Sequence, residues 1–353
     1  MTVSFKFDSL QYLDTDGAVV FEPLPEWAND AAILIPLYRT MVETRAFDAK
    51  AVALQRTGQL GTYASSLGQE AIGVATASVM TADDVLLPTY REYGAQFWRG
   101  TTMAEILLYW GGDERGSDYA GPRGDFPISV PIATHACHAV GVAYAMKLRQ
   151  QPHAAVCFVG DGATSKGDFY EAINAAGVWR LPVVFVVTNN QWAISVPVSK
   201  QTAAETLAHK SVAAGIAGRR VDGNDCLAMK QAATEAIDNA RNGRGPTLLE
   251  ALTYRMSDHT TADDASRYRS AEEVDAHRLQ DPIDRLRRYM ESRGLWADAE
   301  EQELHDATAQ RVEQQVKVYL DTPAPAPQTM FDHLYATLPR AFDAQRQAVI
   351  EEK

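Results

Sequence analysis

The sequence predicts an α/β fold, a doubly wound parallel sheet flanked by helices and followed by a helical C-terminal tail. From about Ala154 onward, short β-branched runs alternate with helix-like segments, which is typical of parallel strands joined by crossover helices. The runs are apolar at almost every position, as in strands buried on both faces. Beyond Asp281 the sequence becomes charged with a helical pattern, which predicts the tail.

The predicted elements follow one another along the chain. Residues 1–30 read as an irregular arm, and the next 25 residues, Ala31 to Gln55, carry apolar side chains at helical spacing. In the alternating region the strand-like runs are AAVCFVG, LPVVFVVTNN, RRVDG and PTLLEALTYR, and the helix-like runs are DFYEAINAAGVWR, TAAETLAHKSVAAG and residues 225–242. We therefore expect an N-terminal arm (1–30), a main α/β domain (31–280) and a helical C-terminal extension (281–353).

Composition and charge argue against several classes of protein. The chain of 353 residues is 46% hydrophobic, enough for a large core, and its formal net charge of -13 disfavours a nucleic-acid partner. The N-terminus lacks the pattern of a secretion signal, and no apolar run is long enough to span a membrane. The three cysteines are widely spaced, which is typical of core thiols in a reducing compartment. We expect a cytoplasmic protein without a membrane or nucleic-acid partner.

Two strand ends carry unusual polar residues. The first strand runs into Gly160-Asp161-Gly162-Ala163, and the next ends at Asn189-Asn190. The 26 residues between Gly162 and Asn189 suffice for one helix and one strand, so adjacent strand ends would bring Asp161 and Asn190 together. Carboxylate, amide and carbonyl oxygens are ligands that Mg²⁺ prefers, and they leave room for a diphosphate near the backbone N–H groups of Gly162 and Ala163.

These residues have two other interpretations. Taken alone, GDG is most often an ordinary strand-to-helix turn, and only its spacing from NN makes the pattern specific. The phosphate loop of nucleotide hydrolases needs GxxxxGK[ST], whereas Lys166 here precedes Gly167, so this nucleotide-binding motif is absent.

GDG followed by NN at this interval is the signature of thiamine-diphosphate enzymes. The stretch GDGATSKGDFYEAINAAGVWRLPVVFVVTNNQWAISVP resembles the alpha subunits of pyruvate and branched-chain 2-oxoacid dehydrogenases. The resemblance extends from about Tyr38 into the tail through LGTYASSLGQEA, LPTYREYG, residues 130–141, RVDGND and HTTADDASRYR. It implies that residues 31–280 form a thiamine-diphosphate-binding fold of the diphosphate type.

The resemblance also implies roles for individual residues. Magnesium would be bound by Asp161, Asn190 and the carbonyl of Trp192, where relatives usually have a tyrosine. The diphosphate would be held by Tyr90, Arg91 and Arg255, whose hydroxyl and guanidinium groups suit phosphate oxygens. Backbone atoms of Val130 and Ile132 would meet the aminopyrimidine ring. The complete expected cofactor-binding set is Tyr90, Arg91, Val130, Ile132, Asp161, Gly162, Ala163, Asn190, Trp192, Arg255 and His259.

His259 is the expected catalytic residue. It follows the strand-like LLEALTY on the expected ligand side of the sheet, whereas a lone loop histidine is more often a surface residue. In the family this histidine contacts the reacting intermediate and manages a proton during acyl transfer, for which a near-neutral pKa is suitable. Some relatives bind potassium with Thr and Gln; here Thr134 is followed by His135 in place of the glutamine, so the resemblance does not extend to a predicted potassium site.

The implied reaction is oxidative decarboxylation of a 2-oxoacid with reductive acylation of a lipoyl group. The partners would be a beta subunit in an alpha-two beta-two heterotetramer and a lipoyl acyltransferase core. We expect pyruvate as the substrate, with branched-chain 2-oxoacids such as 3-methyl-2-oxobutanoate as the alternative. A hypothesis of another class is a catalytically silent scaffold, which loss of Asp161, Asn190 or His259 would favour; all three are present.

Overall fold

The computed structural model describes residues 6–332 and 334–351, and a six-stranded parallel sheet forms its centre. Its strands and those of a separate small hairpin, β5 with β6, are β1 (Ser9–Leu10), β2 (Val85–Leu87), β3 (Ala155–Gly160), β4 (Val183–Asn189), β5 (Trp192–Ala193), β6 (Val196–Pro197), β7 (Ala217–Asp222) and β8 (Thr247–Leu252). The order across the sheet is β1-β7-β8-β4-β3-β2, with every neighbouring pair parallel. The predicted parallel α/β fold is confirmed.

Both faces of the sheet are covered. Alternate residues of β3 point to opposite sides, so Val156 and Phe158 lie in one hydrophobic core while Ala155, Cys157 and Val159 lie in the other. All five side chains are fully buried. The nearly continuous apolar run that predicted a doubly covered sheet therefore reflects burial on both faces.

The helices of the described residues lie around this sheet. They are α1 (Ala31–Arg56), α2 (Glu70–Ala77), α3 (Tyr93–Trp98), α4 (Met103–Trp110), α5 (Thr134–Leu148), α6 (Gly167–Trp179), α7 (Val198–Gln201), α8 (Lys210–Ala214), α9 (Cys226–Arg241), α10 (Ala271–Arg278), α11 (Pro282–Ser292), α12 (Asp298–Asp321) and α13 (Asp343–Glu351). The first begins after Asp30, whose carboxylate accepts a hydrogen bond from Ala32 N at 2.8 Å. The predicted helix of residues 31–55 is confirmed to within one residue.

Two segments differ from the sequence prediction. The first is the N-terminal arm, of which residues 1–5 lie outside the described part. Its residues Ser9–Leu10 join the sheet as β1. Just beyond β1, the carboxylate of Asp225 accepts hydrogen bonds from Tyr12 N and Leu13 N. The predicted helix TAAETLAHKSVAAG is only a 3-10 turn followed by α8, so this prediction was wrong for its first half. Here Thr202 Oγ1 accepts from Ala204 N, and such local bonds compete with helix formation.

The predicted helical tail packs on the main body. One face of α12 buries Leu304, Thr308, Val312 and Val316 at four-residue spacing, against α1 and α4. We retain the division at residues 30 and 280 as a proposal. Among the helices of the described residues, none is both long and apolar enough to cross a membrane.

Candidate cofactor and metal site

The ends of β3 and β4 lie side by side. Gly160 pairs with Thr188 across the two parallel strands, so the residues that follow each of them emerge at the same edge of the sheet. Asp161 and Asn190 line one cavity of about 220 Å³ there. The structure thus brings together the two strand ends that the sequence singled out.

Nine of the eleven predicted cofactor-binding residues line this cavity: Tyr90, Arg91, Ile132, Asp161, Gly162, Ala163, Asn190, Trp192 and His259. Arg255 lies behind the wall, where its side chain is fully buried and its Nη1 donates to the carbonyl of Trp192 at 3.1 Å. Val130 is 47% exposed and does not line the cavity, although the nearby residues Ser129 and Ile132 do. A backbone contact from Val130 to a cofactor stays a prediction.

Asp161 is a buried carboxylate, only 2% exposed. Its Oδ2 accepts a hydrogen bond from Gln201 Nε2 at 2.6 Å. Burial raises the pKa of Asp161, while the bond from Gln201 and the more distant Arg255 act in the opposite direction. Since none of the described lysines or arginines forms an ion pair with it, this carboxylate is suited to a bound cation.

Asn190 and Trp192 supply the other candidate oxygens. Asn190 Nδ2 donates to Gln69 Oε1 at 3.2 Å, and Asn190 Oδ1 accepts from Trp192 N at 3.3 Å. No group of three or more His, Cys, Asp or Glu side chains that could hold a metal occurs in the part of the chain that the structure describes. A cation here would therefore depend on one carboxylate, amide and carbonyl oxygens, and oxygens of its ligand, a set that fits Mg²⁺.

The loop after β3 approaches the β5–β6 hairpin very closely. Residues Asp161–Ser165 form a 3-10 turn, and α6 begins only at Gly167, so the backbone N–H groups of Gly162 and Ala163 belong to this turn. A Cβ atom added at Gly162 would lie 2.6 Å from the Cβ of Ala193 in the hairpin. The absence of a side chain at position 162 is thus what lets the two loops meet.

Three residues beside the cavity hold a left-handed backbone without being glycine. They are Ala133 (φ 63°), Gln191 (φ 71°) and Ile194 (φ 55°). The conformation is most unfavourable for the β-branched Ile194, which occupies the tight turn between β5 and β6. Such strain is concentrated at functional sites, where the surrounding structure maintains it.

His259 lies among positive charges. Arg91 Nη2 is 3.2 Å from His259 Nδ1 and also donates to the His259 carbonyl, while Arg255 Nη1 is 3.4 Å from Nδ1. Burial, followed by the charges of Arg91 and Arg255, lowers the pKa of His259 to about 4, although Asp263 opposes this. The imidazole is therefore neutral at pH 7, with a pKa below the near-neutral value expected from the family role.

Gln69 and Gln201 were not identified from the sequence. Each makes a hydrogen bond to a candidate metal ligand, yet they lie 121 and 40 residues away from that ligand along the chain. A single glutamine at the end of a short helix or just before one carries no pattern that marks it as a contact of a particular side chain. Only the folded arrangement reveals the two contacts.

The fold and this edge of the sheet define an α/β protein with a cavity at the carboxyl ends of its strands, which is where such sheets bind their ligands. The family model described as "Dehydrogenase E1 component" matches residues 38–328, and the chain belongs to that family. The resemblance to alpha subunits of thiamine-diphosphate-dependent 2-oxoacid dehydrogenases is thereby confirmed, and the family implies thiamine diphosphate as the cofactor.

Relatives named for two different substrates are similar to this chain over nearly its whole length. The 3-methyl-2-oxobutanoate dehydrogenase subunit alpha of Mycobacterium tuberculosis is 42% identical across 100% of this chain and 96% of its own length. The pyruvate dehydrogenase E1 component subunit alpha of Staphylococcus aureus is 39% identical across 99% of this chain and 94% of its own length. The protein of the same name from Staphylococcus epidermidis is 38% identical with the same coverage.

Proposed function

We propose that this alpha subunit binds the diphosphate of thiamine diphosphate through magnesium. The observation that carries the proposal is the convergence of Asp161, Asn190 and Trp192 around one cavity at the carboxyl ends of β3 and β4. Asp161 supplies an anionic ligand, and the amide and carbonyl oxygens complete the protein's share of the coordination.

The surrounding residues have separate tasks in this proposal. Tyr90 and Arg91 bind the diphosphate, helped by the backbone N–H groups of Gly162 and Ala163, while Arg255 supports the wall. Thiamine diphosphate, when bound, would supply the chemistry of decarboxylation, with a nucleophilic carbon in its thiazolium ring and the ring itself as the electron sink. His259 remains neutral among its arginines, and it can accept or donate a hydrogen bond at the reacting atoms and hold a proton there during acyl transfer.

The proposal also includes partners. A beta subunit would supply the acidic residue for the aminopyrimidine ring and close the cavity, in an alpha-two beta-two assembly. A lipoyl acyltransferase would receive the acyl group. We place this assembly in the cytoplasm, which agrees with three cysteines that are all free thiols. Cys157 and Cys226 are buried as expected, whereas the expectation of a core thiol is wrong for Cys137, which is exposed.

Pyruvate is the proposed substrate. The supporting stretches are LGTYASSLGQEA and QTAAETLAHKSVAAGIAGRRVDG, which resemble bacterial pyruvate dehydrogenase alpha subunits. A branched-chain 2-oxoacid is the second candidate, because the relative at 42% identity is named for 3-methyl-2-oxobutanoate and the pyruvate relatives are at 39% and 38%. A silent scaffold is disfavoured, since the chain retains Asp161, Asn190 and His259.

The substitution Asp161→Ala tests the metal site. It removes the anionic ligand, so magnesium-dependent binding of thiamine diphosphate should be lost. The measurement is calorimetric titration of the cofactor into the chain purified with its beta subunit, with and without Mg²⁺. Asp168→Ala is the matched control, since Asp168 pairs with Lys166 at the start of α6 and does not line the cavity. Unchanged affinity in Asp161→Ala would overturn the proposal.

A further inference from the structure

Gln201 connects the candidate metal carboxylate to the β5–β6 hairpin. Its Nε2 donates both to Asp161 Oδ2 at 2.6 Å and to the Val196 carbonyl at 2.9 Å. The backbone carbonyl of Gln201 accepts a hydrogen bond from Ser165 Oγ at 3.0 Å, and Ser165 ends the 3-10 turn that begins with Asp161. Gln201 thus fixes one carboxylate oxygen of Asp161 relative to the hairpin.

Gln69 bonds in turn to the side-chain amide of Asn190, the second candidate ligand. It lies immediately before α2, is 5% exposed, and its Oε1 accepts from Asn190 Nδ2. An amide has one donor side and one acceptor side, so this bond decides which way the Asn190 side chain points. With the nitrogen held by Gln69, the oxygen lies on the side of Trp192 N and the cavity.

Each glutamine leaves half of its own amide without a partner. Gln201 Oε1 and Gln69 Nε2 are both buried and form no hydrogen bond within the described residues. An unpaired buried polar atom costs free energy, so an apolar side chain of similar size would serve simple packing as well or better. The contact of the other half with the ligand side chain is what glutamine specifically provides.

We propose that Gln201 and Gln69 are positioning residues that set the ligating oxygens of Asp161 and Asn190 for magnesium. The inference rests on the proposed function. Groups that hydrogen-bond to metal ligands orient them, and their loss typically lowers metal affinity by about 10- to 100-fold. Gln201 acts as a donor that holds a carboxylate, and Gln69 acts as an acceptor that orients an amide.

This division of roles predicts which substitutions are tolerated. Gln201→Met and Gln69→Met keep the size of the side chain but remove its hydrogen bond, so each should raise the half-saturating magnesium concentration by about 10- to 100-fold. Gln69→Glu keeps an acceptor for Asn190 Nδ2 and should stay within about threefold of the unchanged protein. Gln231→Met is the matched control, because Gln231 on α9 is partly exposed and, among the described residues, its side chain bonds only to Glu235.

The experiment measures thiamine diphosphate binding by calorimetry at a series of Mg²⁺ concentrations, on each variant purified with its beta subunit. Excess Mg²⁺ should restore cofactor binding in both Met variants, which a general folding defect would not allow. If cofactor binding to the unchanged protein does not depend on magnesium, the proposed function fails. If that dependence is present but the Met variants match Gln231→Met, or Gln69→Glu is as weak as Gln69→Met, the positioning roles are refuted.

Discussion

Burial and two arginines keep His259 neutral. Burial lowers its pKa most, and Arg91 and Arg255, which both approach its Nδ1, lower it further. The unfolded chain would bind a proton at His259 below about pH 6.5, whereas the folded chain does so only below about pH 4. Because the unfolded state binds more protons between these values, this group lowers the stability of the cofactor-free chain as the pH falls through that window.

An anionic diphosphate beside the same arginines should raise the pKa of His259. Cofactor binding between pH 5 and pH 6 should then take up protons, and His259→Gln should reduce this uptake. The measurement is calorimetry of cofactor binding in two buffers of different ionisation enthalpy, repeated near pH 8. There His259 is neutral in the free protein, and the two proteins should behave alike. Equal proton uptake by both proteins at pH 5–6 would contradict this linkage.

The sequence predicts ligands at strand ends better than it predicts the residues that support them. Asp161 and Asn190 follow apolar runs, and the geometry of parallel strands is enough to place them together. Gln69 lies just before α2, and Gln201 is the last residue of the short helix α7. Their positions depend on how the loops pack, and no periodic pattern encodes that packing.

At the level of elements, the β5–β6 hairpin and the 3-10 turn after β3 form one unit. The hairpin carries the Trp192 carbonyl, the turn carries Asp161, and they touch at Gly162 and Ala193. Any displacement between them changes the distance between two candidate ligands. The short hairpin was not predicted because its strands have two residues each and its turn contains Ile194 in a left-handed conformation, a residue type that does not mark turns.

Gly162→Ala should therefore weaken magnesium-dependent cofactor binding. The added methyl group would overlap Ala193, and neither atom can rotate away, so the loops must separate. Overpacking of this kind costs about 1–3 kcal/mol. If the whole cost falls on the bound state, affinity drops by about 5- to 150-fold.

The measurement is the same calorimetric titration. Gly167→Ala is the control, since a Cβ at Gly167 meets nothing within 4 Å. Similar affinities for Gly162→Ala and Gly167→Ala would show that the close approach is unimportant for the site.

For the whole molecule, the sequence alone indicated a doubly covered parallel sheet, because burial on both faces leaves a continuous apolar pattern in β3 and β4. It did not indicate that the N-terminal arm supplies the edge strand β1, since two residues are too few to show a period. The cavity mouth has exposed apolar side chains, with Ile132 at 41% and Ile194 at 55% exposure. A partner that covers them is part of the proposed function.

Substrate choice belongs to this assembled enzyme, because the proposed beta subunit would complete the pocket. We expect kcat/KM for pyruvate to exceed that for 3-methyl-2-oxobutanoate by at least about tenfold. The branched acid has a bulkier side chain, and each methylene that a pocket accepts or rejects changes transition-state binding by about 1–3 kcal/mol. The assay compares both acids, with 2-oxobutanoate as an intermediate size, on the chain assembled with its own beta subunit. A clear preference for the branched acid would instead agree with the relative named for that substrate and overturn the assignment to pyruvate.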